Sequence, residues 1–357
     1  MSRYLSSRFA GIEPYTPGEQ PQDMQYVKLN TNENPYPPAP GVIRLINEAQ
    51  TSRLNLYSDP TVEPLIQELA RFYKLRPGQI FAGNGSDEVL AFAFLAFCDR
   101  ERKVCFPEIS YGFYKVFARL FNLDDARAIP LKADFSIDPE DYVNCGRNVV
   151  IANPNAPTGL SLSAQQIERI VKTNPGYVVI VDEAYVDFGG ESCLNLIEKY
   201  DNLLIVRTFS KSRSLAGARL GFAMGAEGLI EDLNRMKFSF NPYNINRLTM
   251  LAGVEAVKDR TYFEDCLSKI VKTREESALR LKELGFEVLP SKANFLFARH
   301  PALKGEAYYR ALKQRGVLVR HFAQPESIAD FVRITIGTPE QMEVLLQKTR
   351  EILHQEG

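Results

Sequence analysis

A lysine, an aspartate and a tyrosine follow two apolar segments of the sequence. Lys211 comes shortly after residues 202–207, and Asp182 and Tyr185 come directly after residues 177–181. Both segments are rich in Val, Ile and Leu, which is typical of strands buried in a parallel sheet. Open α/β sheets bind their ligands at the carboxyl ends of such strands. The sequence therefore predicts a site that contains an amine, a carboxylate and a phenol.

These three groups suit the chemistry of pyridoxal phosphate, in which a lysine forms a Schiff base with the cofactor and an acid holds its ring nitrogen. Arg219, eight residues beyond Lys211, is a candidate for holding the cofactor phosphate. A lone lysine after a strand is commonly a solvated loop residue, and a lone Asp182-Glu183 pair is commonly a helix cap or a metal ligand. Their shared order and spacing favour the cofactor site over these separate interpretations.

A second candidate for phosphate binding is the turn Gly83-Asn-Gly-Ser-Asp-Glu88, which precedes the apolar segment 89–97. Glycines before a Ser-Asp pair predict a strand, a tight turn and a buried helix. The first N–H groups of a helix are unpaired and carry a partial positive charge, so they form a natural phosphate seat. Gly-Asn-Gly turns are common, and this one becomes a strong candidate only together with Lys211 and Arg219.

Arg333 lies in the strand-like segment 331–336, where alternate side chains face opposite sides. Val332, Ile334 and Ile336 share one face, so the arginine points the other way. An exposed surface arginine is the simpler interpretation. The functional interpretation is that Arg333 is a planar donor that binds a carboxylate or phosphate through two N–H groups.

Strands alternate with helices up to about residue 258, which predicts a three-layer α/β/α domain with a mostly parallel sheet. Residues 1–40 are rich in proline and predict an extended arm. Near residue 260 the pattern changes to a long charged helix, 262–284, followed by short strands and a final helix opened by Thr338-Pro-Glu-Gln341. The sequence thus predicts an arm at 1–40, a large domain at 41–258 and a smaller α+β domain at 259–357.

Composition excludes several other classes of protein. The 43 basic and 44 acidic residues nearly cancel, so nucleic acid is an unexpected partner. Five scattered cysteines and three isolated histidines predict reduced thiols and no metal site. The N-terminal residues lack an apolar signal core, and no apolar run is long enough to span a membrane. We therefore expect a cytoplasmic protein.

Taken together, these motifs resemble those of the fold-type I pyridoxal-phosphate aminotransferases, whose fold is that of aspartate aminotransferase. Within that family the chain is most similar to the branch that acts on histidinol phosphate. The resemblance runs nearly end to end and rests on the following segments: Ile12-Glu-Pro-Tyr15, Leu29-Asn-Thr-Asn-Glu-Asn-Pro35, Tyr57, Gly85-Ser-Asp-Glu88, Tyr111, Pro157-Thr-Gly159, Asp182-Glu-Ala-Tyr185, Ser210-Lys211, Arg219 and Val332-Arg-Ile-Thr-Ile-Gly337.

The resemblance implies a role for each matched residue. Lys211 would form the Schiff base and then move the proton between the substrate and the cofactor, Asp182 would bind the ring nitrogen, and Tyr185 would bind the ring oxygen. The cofactor phosphate would be held by Gly85, Ser86, Asp87, Ser210 and Arg219, the ring would stack on Tyr111, and Tyr57 would reach in from the second subunit of a homodimer with shared active sites. The substrate would be bound by Tyr15, Asn32, Arg320 and Arg333.

The sequence departs from the family pattern at Ala156, where asparagine is common and contacts the ring oxygen. The neighbouring Asn155 is the candidate that replaces it, or Tyr185 acts alone.

The implied activity is a ping-pong transfer of an amino group between glutamate and imidazole acetol phosphate, in histidine biosynthesis. An aromatic or broad-specificity aminotransferase is the nearest alternative, and a threonine-phosphate decarboxylase is the next. A regulatory protein with a relic site is disfavoured because Lys211, Asp182, Tyr185 and Arg219 are all present. A nucleotide-binding protein would need a Gly-x-Gly-x-x-Gly turn or a P-loop, and the sequence has neither.

Overall fold

The computed structural model describes residues 13–47 and 53–356. Its central sheet has seven strands in the order β2-β8-β7-β6-β5-β3-β4. The strands are β2 (Ile80–Gly83), β3 (Val104–Pro107), β4 (Arg127–Ile129), β5 (Asn148–Ala152), β6 (Val179–Asp182), β7 (Leu203–Thr208) and β8 (Gly221–Gly225).

Helices cover both faces of this sheet, as the three-layer prediction required. Alternate residues of β5 show why: Val149 and Ile151 lie in one apolar core, and Val150 and Ala152 lie in the other. One face is covered by α2 (Glu63–Tyr73), α5 (Ala164–Thr173) and α7 (Arg247–Lys258), and the other by α3 (Gly85–Phe97), α4 (Phe113–Leu120) and α6 (Glu227–Phe240). A further helix, α1 (Pro40–Asn47), packs beside α7.

One strand of the sheet runs against the others. β8 pairs antiparallel with both β7 and β2, whereas β3 to β7 pair in parallel. The connection from β7 to β8 contains only a short 3₁₀ turn, Ala216–Ala218, and no crossover helix. A parallel return requires a crossover, so this loop brings the chain back antiparallel. Lys211 and Arg219 both lie on the loop.

A second, antiparallel sheet has the order β12-β13-β10-β9. Helices α8 (Arg260–Glu283), α9 (Gly305–Gln314) and α10 (Pro339–Glu356) pack on it, and α10 begins with the expected capping box of Thr338 and Gln341. The strands are β9 (Glu287–Val288), β10 (Phe295–Arg299), β12 (Arg320–His321) and β13 (Val332–Thr335). Between α7 and α8 the chain leaves the core of the central sheet and enters the core of the smaller sheet. The domain limits at 40 and 258 remain predictions.

The described part of the N-terminal arm is extended and lies on the body. Its short strand β1 (Val27–Lys28) pairs in parallel with β11 (Val317–Leu318), and Leu29 is fully buried in the core of the smaller sheet. Residues 1–12 of the predicted arm lie outside the described residues. None of the described helices is long and apolar enough to cross a membrane.

A buried ion pair ties the ends of β6 and β7 together. Arg207 donates two hydrogen bonds to Glu183 Oε2, at 2.8 and 3.0 Å, and a third to Asp187 Oδ1 at 3.2 Å. Asp187 Oδ2 in turn accepts the Ser212 hydroxyl at 2.6 Å, next to Lys211. The network therefore fixes the lysine loop relative to the strand that ends in Asp182.

Replacing Arg207 by Met should lower the free energy of unfolding by about 3–5 kcal/mol, because Glu183 would stay buried without its cation. Urea denaturation monitored by circular dichroism measures this loss. In the matched control Arg260→Met, which removes an ion pair between two exposed side chains, the loss should be below about 1 kcal/mol. Equal losses in the two variants would show that the buried pair contributes no more to stability than the exposed one.

Candidate active site

The carboxyl ends of the central strands and the arm enclose a cavity of about 270 Å³. Most of the residues that the sequence singled out line it: Tyr15, Asn32, Ser86, Asp87, Tyr111, Asp182, Tyr185, Ser210, Lys211, Arg219, Arg320 and Arg333. Three of the predicted residues, Gly85, Asn155 and Tyr57, are not on its wall.

Lys211 lies at the centre of this set. Its Nζ donates to the main-chain oxygen of Thr31 at 3.2 Å, so the arm closes over it. Burial, together with the positive charge of Arg333, lowers the pKa of the Lys211 ammonium to about 8. The amine is thus far more easily deprotonated than that of an exposed lysine, as a nucleophile and proton carrier requires.

Asp182 is held at the end of β6 with its side chain almost fully buried. Tyr114 donates to its Oδ2 at 2.9 Å, and the N–H of Ala184 donates to Oδ1 at 3.2 Å. Burial raises the pKa of this carboxyl group to about 6, and the bond from Tyr114 opposes that rise. A cationic ligand group at this position would relieve the cost of burying the carboxylate.

The N-terminus of α3 forms the opposite wall. The residue before the helix, Asn84, makes no side-chain cap, so the first N–H groups of the helix are not capped from that side. Gly85 is needed here, since its φ is +81° and a Cβ on it would lie 2.6 Å from Nη2 of Arg219. Arg219 itself donates to Asp87 at 2.9 Å. A glycine, unpaired N–H groups and an arginine together form a seat for a phosphate group.

Two arginines from the smaller sheet point into the same cavity. Arg320 of β12 and Arg333 of β13 are direct cross-strand partners. Arg333 donates through Nη2 to the main-chain oxygen of Asn30 at 3.1 Å, and its buried Nε has no hydrogen-bond partner among the described residues. No described carboxylate forms an ion pair with either arginine. Two like charges held this close strongly favour an anionic ligand.

The structure does not favour the predicted role of Asn155. Its side-chain NH₂ donates to the main-chain oxygen of Ile109 at 2.9 Å and to Thr158 Oγ1 at 3.2 Å. Its Oδ1 accepts the Ser110 hydroxyl at 2.7 Å. Because one N–H is bonded to the loop after β3 and the other to its own loop, Asn155 has none left to offer the cavity, and its neighbour Ala156 lines the wall instead.

Tyr57 lies away from the cavity of its own chain. Its side chain is 80 % exposed and stacks on Tyr243 with ring centroids 4.5 Å apart. Any contribution of Tyr57 to an active site must therefore be made to another copy of the chain.

Some residues of the site escaped the sequence analysis. Tyr114, which binds Asp182, lies in the first turn of α4, three residues after Tyr111, which precedes the helix. Thr31, whose main-chain oxygen accepts from Lys211, gives no sequence signal because its side chain is not involved.

The fold and site are those of a class of enzymes that transfer amino groups. Residues 24–348 match the family model described as "Aminotransferase class I and II", and the chain belongs to this family. A histidinol-phosphate aminotransferase of Brachyspira hyodysenteriae is 51% identical over 354 residues, covering 99% of both chains. Another, of Clostridium botulinum, is 49% identical with the same coverage. Among solved structures, the histidinol-phosphate aminotransferase of Sinorhizobium meliloti in complex with pyridoxal-5'-phosphate superposes with a TM-score of 0.82 at 24% identity, covering 92% of this chain and 91% of that one.

The lowered pKa of Lys211 predicts a pH-dependent difference in stability between the cofactor-free protein and its Lys211→Met variant. Between pH 8 and about 10.5, the unfolded wild-type chain binds a proton that the folded chain lacks. The free energy of unfolding of the wild-type protein should therefore rise relative to that of the variant across this window. Relative to the variant, it should be lowest below pH 8. Urea denaturation at pH 7, 9 and 10.5 measures the difference.

The exposed Lys272 provides the matched control, since Lys272→Met should differ from the wild type by the same amount at each pH. A difference between the wild type and Lys211→Met that is equally independent of pH would contradict the lowered pKa.

Proposed function

We propose that this chain is a pyridoxal-phosphate-dependent aminotransferase of histidine biosynthesis. It transfers the amino group of glutamate to imidazole acetol phosphate and so produces histidinol phosphate and 2-oxoglutarate. The observation that carries the choice of substrate is the pair of arginines, Arg320 and Arg333, that faces Lys211 without a described carboxylate partner. The identity of about 50% with two histidinol-phosphate aminotransferases over the full chain supports it.

The residues of the cavity fit the cofactor. The first N–H groups of α3, the Ser210 hydroxyl and Arg219 would hold the phosphate, at the place where Gly85 leaves room for the guanidinium. Asp182 would bind the ring nitrogen and hold its proton, and Tyr111 would lie against the ring. Tyr185 would donate to the ring oxygen. When bound, pyridoxal phosphate supplies an aldehyde that takes up the amino group and a ring that withdraws electrons from the substrate carbon.

Lys211 supplies both the covalent attachment and the proton transfer. With its pKa lowered to about 8, roughly a tenth of the amine is neutral at pH 7 and able to act as a nucleophile, far more than for an exposed lysine. With the cofactor bound, Nζ would be the base that removes the proton from the substrate α-carbon and the acid that returns it to the cofactor carbon that carries the amino group. Thr31 accepts from this Nζ and keeps it over the cavity.

One anion site serves both substrates. Glutamate carries a carboxylate on its α-carbon, and histidinol phosphate carries a CH₂-phosphate there. Arg333 would bind either group, while Arg320 would balance the additional charge of the phosphate. An adjoining cavity of about 290 Å³, which shares both arginines and Tyr15, has room for the small imidazole ring.

A single half-reaction tests this choice of substrate. The protein loaded with pyridoxal phosphate is mixed separately with L-histidinol phosphate, glutamate, phenylalanine and O-phosphothreonine, and the visible absorption and the products are measured. Histidinol phosphate and glutamate should convert the cofactor rapidly to its amine form, whereas phenylalanine should react slowly. Preference for phenylalanine would indicate an aromatic aminotransferase, and release of carbon dioxide from phosphothreonine would indicate a decarboxylase.

Two variants identify the anion site in the same assay. Arg333→Met should weaken the binding of both substrates by about 2–5 kcal/mol, because the anionic group of each loses its paired cation. Arg320→Met should weaken the binding of histidinol phosphate more than the binding of glutamate. Unchanged affinities in Arg333→Met would remove this arginine from the site.

We further infer a cytoplasmic homodimer whose subunits share their active sites. The described segments 54–57 and 238–243 lie together and expose large apolar side chains, among them Tyr57 and Phe240, which are 80 % and 77 % exposed. A patch of this kind is characteristic of a surface that binds another protein. Tyr57 on this patch is available to the cavity of the partner. The five cysteines are all unpaired, in agreement with a reducing compartment.

Introducing a charge at the patch by Phe240→Glu should convert the dimer into monomers, which analytical ultracentrifugation detects. Leu279→Glu is the matched control, since Leu279 is 62 % exposed but lies on α8, away from the patch, and should leave the dimer intact. Mixing inactive Lys211→Ala and Tyr57→Ala chains should restore activity, because a mixed dimer has one complete site. Monomeric wild-type protein, or no recovery on mixing, would refute shared sites.

A further inference from the structure

Asn32 of the arm is held in one conformation by four hydrogen bonds. It is 1 % exposed and has a φ of +54°, a left-handed backbone that asparagine tolerates better than most residues. Its N–H donates to Thr335 Oγ1 at 2.9 Å, and the Thr335 hydroxyl donates back to Oδ1 at 2.9 Å. Its main-chain oxygen accepts from Asn294 at 3.1 Å. Because Thr335 uses Oδ1, the Nδ2 group is the one left to face the cavity.

That Nδ2 group donates to the hydroxyl oxygen of Tyr185 at 3.0 Å. Two other tyrosines of the site differ from Tyr185 in this respect. Tyr111 and Tyr114 donate their own protons to Asp87 and Asp182, at 2.6 and 2.9 Å. Tyr185 instead accepts from Asn32, and no described residue accepts its proton. Its hydroxyl is therefore free to donate to a group in the cavity.

The wall of the cavity beside Tyr185 offers no amide that could share this task. Ala156 presents a methyl group, and the two N–H groups of Asn155 donate to the main-chain oxygen of Ile109 and to Thr158 Oγ1. The edge of the Tyr185 ring is fixed against Phe295, with centroids 5.1 Å apart at 88°. This contact holds the orientation of the ring, and the direction of the O–H bond remains to be set by its hydrogen-bond partners.

We propose that Asn32 is a positioning residue which, by donating to the oxygen of Tyr185, directs the Tyr185 proton to an anionic ring oxygen of the ligand in the cavity. This inference rests on the proposed function, in which that ligand is pyridoxal phosphate. The arm segment that carries Asn32 also accepts from Arg333 through Asn30 and from Lys211 through Thr31. The arm therefore holds the substrate site, the lysine and the phenol in one arrangement.

The substitution Asn32→Asp tests the direction of the hydrogen bond. Aspartate has the size of asparagine and also tolerates the left-handed backbone, but it accepts the Tyr185 proton instead of donating to its oxygen. Asn32→Gly removes the amide and adopts the same φ without strain. Both variants can thus keep the fold while changing the bond.

The measurement is a pH titration of the visible absorption of the bound cofactor. A donor to the ring oxygen stabilises its negative charge, so the pKa of the chromophore should rise when that donor turns away. We expect a rise of about one unit in Asn32→Asp, the equivalent of one hydrogen bond, and a smaller rise in Asn32→Gly.

The titration is repeated in a Tyr185→Phe background to separate this effect from a structural one. The charge that Asn32→Asp adds, or a general distortion of the site, would act in both backgrounds. The proposed role predicts that the extra shift disappears without the Tyr185 hydroxyl. Equal shifts in the two backgrounds, or no shift in either, would overturn it.

Failure of the proposed function would be recognised separately. In that case the wild-type protein would not acquire visible absorption that depends on Lys211 when it is mixed with pyridoxal phosphate. If wild type and Lys211→Met differ in this absorption, the cofactor is bound. The titration alone then decides whether Asn32 has the proposed positioning role.

Discussion

The register between β6 and β7 is the constraint on which the active site depends. Parallel pairing places Asp182 opposite Val206. The carboxylate therefore lies at the carboxyl end of the two strands, where the loop that carries Lys211 begins. The Glu183–Arg207 pair lies just beyond and locks the two strand ends, and Asp187 extends the lock to Ser212. A shift of one residue in this register would turn the side chains to the other face of the sheet, and Asp182 and Lys211 would no longer line the same cavity.

Three cations of the cavity have no ion-pair partner among the described residues, whereas the carboxylates of Glu33 and Asp87 on the same wall pair with Lys28 and Arg219. Lys211, Arg320 and Arg333 converge on one cavity, and burial lowers the pKa of both Lys211 and Arg333. Keeping these charges together without a ligand costs free energy. Anionic ligands, such as a phosphate or a carboxylate, remove that cost on binding. In the proposed function, the same electrostatic arrangement would account both for a reactive Lys211 and for the binding of anionic substrates.

The arm contacts the residues that the central sheet and the smaller sheet each contribute to the site. Its main-chain oxygens accept from Lys211 and Arg333, its Asn32 side chain reaches Tyr185, and Asn34 binds the main chain of the lysine loop. Arg320 holds the arm in turn, by donating to the main-chain oxygens of Thr16 and Pro17. A segment of little regular structure thus gains a fixed conformation from the polar groups that it satisfies.

The sequence by itself determined the parts that follow from local pattern. Apolar strands followed by Asp182 and Lys211 indicated a parallel sheet and its ligand edge, and alternation in β13 indicated the orientation of Arg333. Only the tertiary structure decided which distant groups meet. The pairing of Asn32 with Tyr185 joins residues 153 positions apart, and the side chain of Asn155 is held by Ile109 and Ser110 from the loop after β3. Neither leaves a periodic trace in the sequence, because hydrogen bonds between remote segments depend on three-dimensional packing and not on the spacing of residues along the chain.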